Sequence, residues 1–190
     1  MTVQKEIEFK NLLQEEEFDQ LCNEFGIADQ DFQLQTNTYF DTVDYQLRDA
    51  FKAFRLRVLG ERNELTLKEP GENTHTMIET TQLISNIERA KILNKGEIKP
   101  GIYNEFQQLP KILIPFGTLS TKRAEIAYKD GLLVLDRSEY LDHIDFEVEY
   151  EVNDLSKGQK HFNELLNTFK IPKRPTMKKI ARFMKAANYK

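Results

Sequence analysis

The chain has 190 residues, 39% hydrophobic and 31% charged, with a formal net charge of −4. That length is enough to bury a core within one domain, and the negative balance argues against a general nucleic-acid or membrane-surface binder. The single cysteine, Cys22, excludes an intramolecular disulfide framework and fits a reducing compartment; with no signal peptide and no apolar run near the ~18–20 residues of a membrane span, a cytoplasmic protein is expected.

The opening stretch reads as a strand in which Glu6, Glu8 and Lys10 alternate with Ile7 and Phe9. Successive strand side chains point to opposite faces, so the three charges share one face, the two carboxylates about 7 Å apart. Such a row can hold a hard cation beside an anionic oxygen, although a lone E-x-E-x-K is more often a solvated edge strand. Residues 14–25 read as a helix: Phe18, Leu21, Cys22 and Phe25 fall on one stripe, Glu15, Glu16 and Glu17 fill the first turn, and Gly26 can close it. Cys22 on that stripe is a packing residue. Residues 33–41 form a strand, and Asp41-Thr42 opens a short helical connection with Tyr45 and Leu47 as contacts.

From Phe51 to Leu59, Phe54, Leu56 and Val58 alternate with Arg55 and Arg57, which puts both guanidinium groups on one face. After a turn at 60–63 the chain returns as Glu64 to Glu69, with Thr66 and Lys68 on one side, until Pro70-Gly71 ends it. Residues 77–84 form another strand. The stretch of about 86–111 changes character and reads as a helical insertion: one helix is broken by Gly96, and a second short one runs from Tyr103 to Leu109.

Three strands follow, Ile112 to Lys129, Leu132 to Tyr140 and Ile144 to Val152, with Asp130-Gly131 as a hairpin signal. The first carries Arg123 and Glu125 on one face, the second carries Asp136, and in the third Phe146, Val148 and Tyr150 alternate with Glu147, Glu149 and Glu151. Two helices complete the chain between about 156 and 187, the first capped by Ser156. Pro172 and Pro175 bracket the link, and Lys178, Lys179, Arg182 and Lys185 line the basic side of the last helix. His75, His143 and His161 have no spacing of a metal triad and read as structural or solvated.

An antiparallel sheet usually keeps its polar face in water. Here the helices at both ends need an apolar sheet surface to cover, and the strands' apolar faces supply one. A sheet curled so that its polar faces meet would form an eight-stranded antiparallel barrel, α+β in class, with a charged lumen and helices packed outside. Acids cluster on the first and last strands and bases between them. Buried charges are costly unless paired or bound to ions, so such a lumen needs divalent cations for its acids and a polyanion for its bases. Phosphate chains bound through Mg²⁺ or Mn²⁺ satisfy both.

In this order, Glu6-Ile7-Glu8-Phe9-Lys10, Arg55-Leu56-Arg57, Thr66-Leu67-Lys68, Arg123, Asp136 and Glu147-Val148-Glu149 resemble the CYTH, or triphosphate tunnel metalloenzyme, family, and in particular its small bacterial members of the YjbK type. The resemblance covers essentially residues 1–190 as one domain. It implies an eight-stranded antiparallel tunnel and hydrolysis of inorganic tripolyphosphate, thiamine triphosphate or nucleoside triphosphates. It further implies Glu6, Glu8, Glu147 and Glu149 as metal ligands with Asp136 contributing. Lys10, Arg55, Arg57, Lys68 and Arg123 would clamp phosphate oxygens, and Lys179, with Arg182 one turn later, would reach the tunnel mouth.

The expected chemistry is metal-assisted, in-line hydrolysis of a terminal phosphoanhydride, with no covalent nucleophile. Two other functions fit the same residues: adenylyl cyclisation, and a non-catalytic module that binds polyphosphate or nucleotide through a metal. The partner expected is a small triphosphate or polyphosphate, with no nucleic acid and no membrane.

Overall fold

A computed structural model describes residues 1–187; residues 188–190, the end of the span read as one domain, lie outside the described residues. In chain order the elements are β1 (Thr2–Leu13), α1 (Glu15–Glu24), β2 (Gln33–Asp41), α2 (Gln46–Asp49), β3 (Ala53–Leu59), β4 (Arg62–Pro70) and β5 (Thr76–Ile84). There follow α3 (Asn86–Lys95), β6 (Ile114–Tyr128), β7 (Gly131–Tyr140), β8 (His143–Val152), α4 (Leu155–Thr168) and α5 (Lys179–Ala186). The eight strands close into a barrel in the order β1-β5-β4-β3-β2-β6-β7-β8. The five α-helices lie outside it, and the fold is α+β, as the alternation of strand faces anticipates. Among the described residues no helix is long and apolar enough to cross a membrane. The chain divides into two compact units, residues 6–34 with 120–190 and residues 1–5 with 35–119.

In the first unit β1, β8 and β7 turn Phe9, Val148, Tyr150, Leu133 and Leu135 outward, where Phe18 and Leu21 of α1 and Phe162, Leu165 and Leu166 of α4 cover them. Cys22 packs at the edge of this core, where burial pushes its thiol up to about 11, so it is a packing residue rather than a nucleophile. Helix α4 starts two residues earlier than a Ser156 cap would place it. Asp154, not Ser156, is the cap, accepting from the Lys157 amide at 2.9 Å, because a carboxylate one residue ahead of the first turn meets the orphan amides directly.

The β6–β7 hairpin also differs from the expectation. Tyr128 pairs with Gly131, so the loop is Lys129-Asp130, and Lys129 takes the left-handed conformation, φ 51°. Gly131 is required for another reason: a Cβ there would lie 2.5 Å from the Glu151 carbonyl oxygen.

Gly158 serves the same purpose on α4, where a Cβ would lie 2.5 Å from Val152 Cγ2 and 2.8 Å from the Phe9 ring. Gly158→Val should therefore lift α4 from the sheet and cost about 2–3 kcal/mol. A lowered urea midpoint checks this, and an unchanged midpoint would show that α4 does not seat there.

In the second unit, Phe40, Phe54, Leu56, Leu65 and Leu67 form the outward faces of β2, β3 and β4. They are covered by Leu47 of α2, Ile92 of α3 and the insertion residues Ile98, Phe106 and Leu113. Helix α3 ends at Gly96 in the left-handed conformation, φ 63°. The short helix expected over Tyr103–Leu109 is instead a 3-10 turn at Asn104–Phe106. The segment is held by Phe106, wholly buried with its ring 5.0 Å from that of Phe54.

Candidate functional site

With the apolar faces of the strands turned toward the helices, alternation sends the charged faces into the barrel. In the first unit the register aligns Lys10 with Glu149, Glu8 with Glu151, Asp136 with Glu147, and Arg123 with Asp136. Four strands, β1, β6, β7 and β8, thus converge on one charged cluster, and α5 adds two bases from outside the sheet.

Asp136 and Glu149 anchor this cluster. Arg123 donates through Nε to Asp136 Oδ1 at 2.8 Å and through Nη2 to Asp136 Oδ2 at 2.6 Å and Glu149 Oε2 at 2.8 Å. Lys179 Nζ lies 2.8 Å from Asp136 Oδ2, donates to Glu147 Oε1 at 2.8 Å, and also bonds Glu149 Oε1. Lys10 pairs with Glu8 and stands 4.0 Å from Glu149. Arg182 meets Asp145 Oδ2 at 2.7 Å and Glu147 Oε2 at 2.6 Å and donates to the Met177 carbonyl at 2.6 Å.

The electrostatics follow from burial opposed by these partners. Desolvation raises both Asp136 and Glu149, but Lys179 and Arg123 outweigh it and hold both carboxyls below their ordinary range, Glu149 well below. Glu147 goes the other way: burial, aided by neighbouring Glu149, lifts it to about 7 despite Lys179. Glu151 likewise rises to about 7, through burial and its proximity to Glu6, Glu149 and Glu8, against the pull of Arg123. Lys179, desolvated yet ringed by Asp136, Glu147 and Glu149, is held well above the usual ammonium range.

Carboxylate oxygens of Glu8, Glu149 and Glu151 lie within 4.8 Å of one another. An all-oxygen, carboxylate donor set at that spacing fits a hard divalent cation such as Mg²⁺ or Mn²⁺. Of the carboxylates anticipated as ligands, Glu8 and Glu149 fall in this triad. Glu147 and Asp136 are engaged by Lys179, and Glu6 adjoins Glu151. The sequence reading did not single out Glu151 for this cluster; the signal was there, since E-x-E continues as E-x-E-x-E and the register sets Glu151 opposite Glu8.

The second unit carries the other anticipated bases. Arg55 and Lys68 flank Glu79, with Arg55 Nη2 at 3.4 Å and Lys68 Nζ at 2.7 Å from its two oxygens. Burial raises Glu79, but Arg55 and Lys68 together bring it down to about 2. Arg57 Nε donates to Asn37 Oδ1 at 3.0 Å. Thr66 lies beside these bases, its hydroxyl 3.4 Å from that of Thr81. Glu79 carried no signal in the sequence: it is a single acid in a Thr-rich strand, and only the pairing of β4 with β5 sets it opposite Lys68.

Carboxylates and bases thus line the inner faces of a closed antiparallel barrel, and the triad Glu8, Glu149 and Glu151 could hold a metal ion. The chain matches the CYTH domain family over residues 4–184, and it belongs to that family. It is 37% identical over 185 residues to YjbK of Bacillus subtilis, named provisionally as a triphosphatase, covering 96% of each chain. A crystal structure from Bacillus halodurans, named provisionally as an adenylate cyclase, superposes with a TM-score of 0.88 at 37% identity, covering 96% of this chain and 99% of the other. The fold is shared by HpAC1 from Hippeastrum, TM-score 0.73 at 19% identity over 96% and 95% of the two chains; it is described as an adenylyl cyclase by provisional name with a dominant triphosphatase activity.

Proposed function

We propose that the protein is a divalent-metal-dependent triphosphatase that hydrolyses the terminal phosphoanhydride of a small triphosphate such as inorganic tripolyphosphate. The observation that carries this reading is the carboxylate triad Glu8, Glu149 and Glu151 beside Lys10, Arg123 and Lys179. Pure anion binding gains nothing from so many acids, and a purely structural ion network has no need of a triad set at metal-ligand spacing.

Glu8, Glu149 and Glu151 would hold Mg²⁺ or Mn²⁺, with Glu6 and Glu147 as adjoining carboxylates. When bound, such an ion supplies charge neutralisation on phosphate oxygens and lowers the pKa of a coordinated water. The chain's own groups do the rest. In one unit Lys10, Arg123 and Lys179 would bind phosphate oxygens; in the other, Arg55, Arg57 and Lys68 are bases suited to the same kind of oxygen. Arg123 is fixed by its two bonds to Asp136, so its remaining edge is preorganised for charge that develops on the transferred group. Asp136 acts as the orienting carboxylate. Arg182, bound to Asp145 and Glu147, orients Glu147 and adds positive potential behind it.

The name of the Bacillus halodurans relative favours a second reading, cyclisation of ATP by the same groups. Phosphate and cyclic AMP release from tripolyphosphate, thiamine triphosphate and ATP, with Mg²⁺, with Mn²⁺ and with chelator, separates the possibilities. Phosphate release that depends on metal is expected. Cyclic AMP as the main product would establish cyclisation, and tight tripolyphosphate binding without any product would make the protein a binding module.

A further inference from the structure

The segment between α4 and α5, residues 171–178, is tied to the end of β1 at three alternate positions. Asn11, buried on the helix-covered face of β1, donates to the Pro172 carbonyl at 3.0 Å and accepts from the Arg174 amide at 2.7 Å. The Arg174 guanidinium forms a two-pronged pair with Glu17 of α1, 2.7 and 2.8 Å, and donates to the Leu12 carbonyl at 2.9 Å. Thr176 Oγ1 accepts from the Leu12 amide at 3.0 Å and donates to the Arg174 carbonyl at 2.9 Å.

Five residues beyond Arg174 comes Lys179, the first residue of α5, whose amine lies among Asp136, Glu147 and Glu149. Helix α5 has only eight residues and no side-chain cap at its start, too short to be stable unaided. Its position must come from tertiary attachments. Arg182 and the Phe183–Tyr140 ring contact hold its body, and the tethered segment determines where it begins. Glu17, which the sequence explains merely as an acid at a helix N-terminus, thereby has a second task.

We propose that Arg174, clamped by Glu17, is a positioning residue that seats the Lys179 amine in the acidic cluster. This rests on the reading of Lys179 as a phosphate-binding group. The two-pronged geometry explains why arginine stands there, since a lysine offers no fork to match a carboxylate.

Two measurements on the full chain test it. In the first, amines are acetylated with an N-hydroxysuccinimide ester and quantified by mass spectrometry. Lys179 should be protected in the wild type and become about tenfold more reactive in Arg174→Ala, while exposed Lys185 in the same helix is unchanged and Arg174→Lys is intermediate. In the second, Arg174→Ala should raise KM for tripolyphosphate about tenfold with kcat within about twofold, and add nothing to Lys179→Ala in the double variant. Unchanged Lys179 labelling in Arg174→Ala or in Arg174→Lys, or losses that multiply in the double variant, would overturn the inference. If labelling rises but Lys179→Ala keeps the wild-type KM, the seating stands and the phosphate role of Lys179 falls.

Discussion

Replacing Glu149 by glutamine should reduce metal-dependent phosphate release from tripolyphosphate by about a thousandfold. Glu149 is the residue on which the cluster turns. One oxygen is bonded by Lys179 and the other by Arg123, Lys10 stands 4.0 Å away, and its carboxylate belongs to the triad with Glu8 and Glu151. Glutamine keeps the shape and one acceptor oxygen but removes the charge on which a cation depends. The fold should survive, because Arg123 retains its two bonds to Asp136 and Lys179 retains Asp136 and Glu147. Removing one partner from a buried pair is costly when the other is left bare, and here neither base is left bare. The measurement is therefore double: phosphate release and Mn²⁺ affinity by calorimetry, each beside a thermal melt. A folded Glu149→Gln protein that binds Mn²⁺ and turns over like the wild type would remove Glu149 from the centre.

Period-two alternation was enough to read the barrel, because strands such as β1, β3 and β8 pair a row of apolar residues with a row of charges that helices cannot cover. Phe146-Glu147-Val148-Glu149-Tyr150 carries that information in five residues, and the register sets Glu149 opposite Lys10 as the charge types imply, whereas Glu147 falls opposite another acid, Asp136. What alternation cannot supply is which charges meet. Arg182 shares a helix face with Lys179, so both read as phosphate-facing. In the fold Arg182 is committed to Asp145, Glu147 and the Met177 carbonyl. Glu79 and Arg174 were silent for the same reason. Each acquires its role from residues distant in sequence, Arg55 24 positions away and Glu17 157 positions away, and no local pattern encodes such distances. The loop details failed more locally: Gly131 looks like a turn residue, yet it is kept small by the approach of the Glu151 backbone.

Glu79→Gln should lower the thermal midpoint at pH 7 by about 8 °C, corresponding to about 3 kcal/mol for a buried ion group that loses one member. Only 11% of the Glu79 side chain is exposed, and it lies between Arg55 and Lys68, themselves largely buried. Its folded pKa of about 2 lies below the ordinary 4.5. A carboxyl so depressed contributes stability that is complete above about 4.5 and lost as pH falls toward 2. The stability gap between wild type and Glu79→Gln should accordingly close across that window, and a gap independent of pH there would mean that the charge of Glu79 is not its source. Tripolyphosphate offers a further discrimination. If Arg55 and Lys68 bind phosphate, a polyanion replaces the missing carboxylate, so saturating tripolyphosphate should raise the midpoint of Glu79→Gln by more than that of the wild type. Equal increments in both proteins would leave Arg55 and Lys68 as partners of Glu79 alone, with the phosphate held by the bases of the other unit.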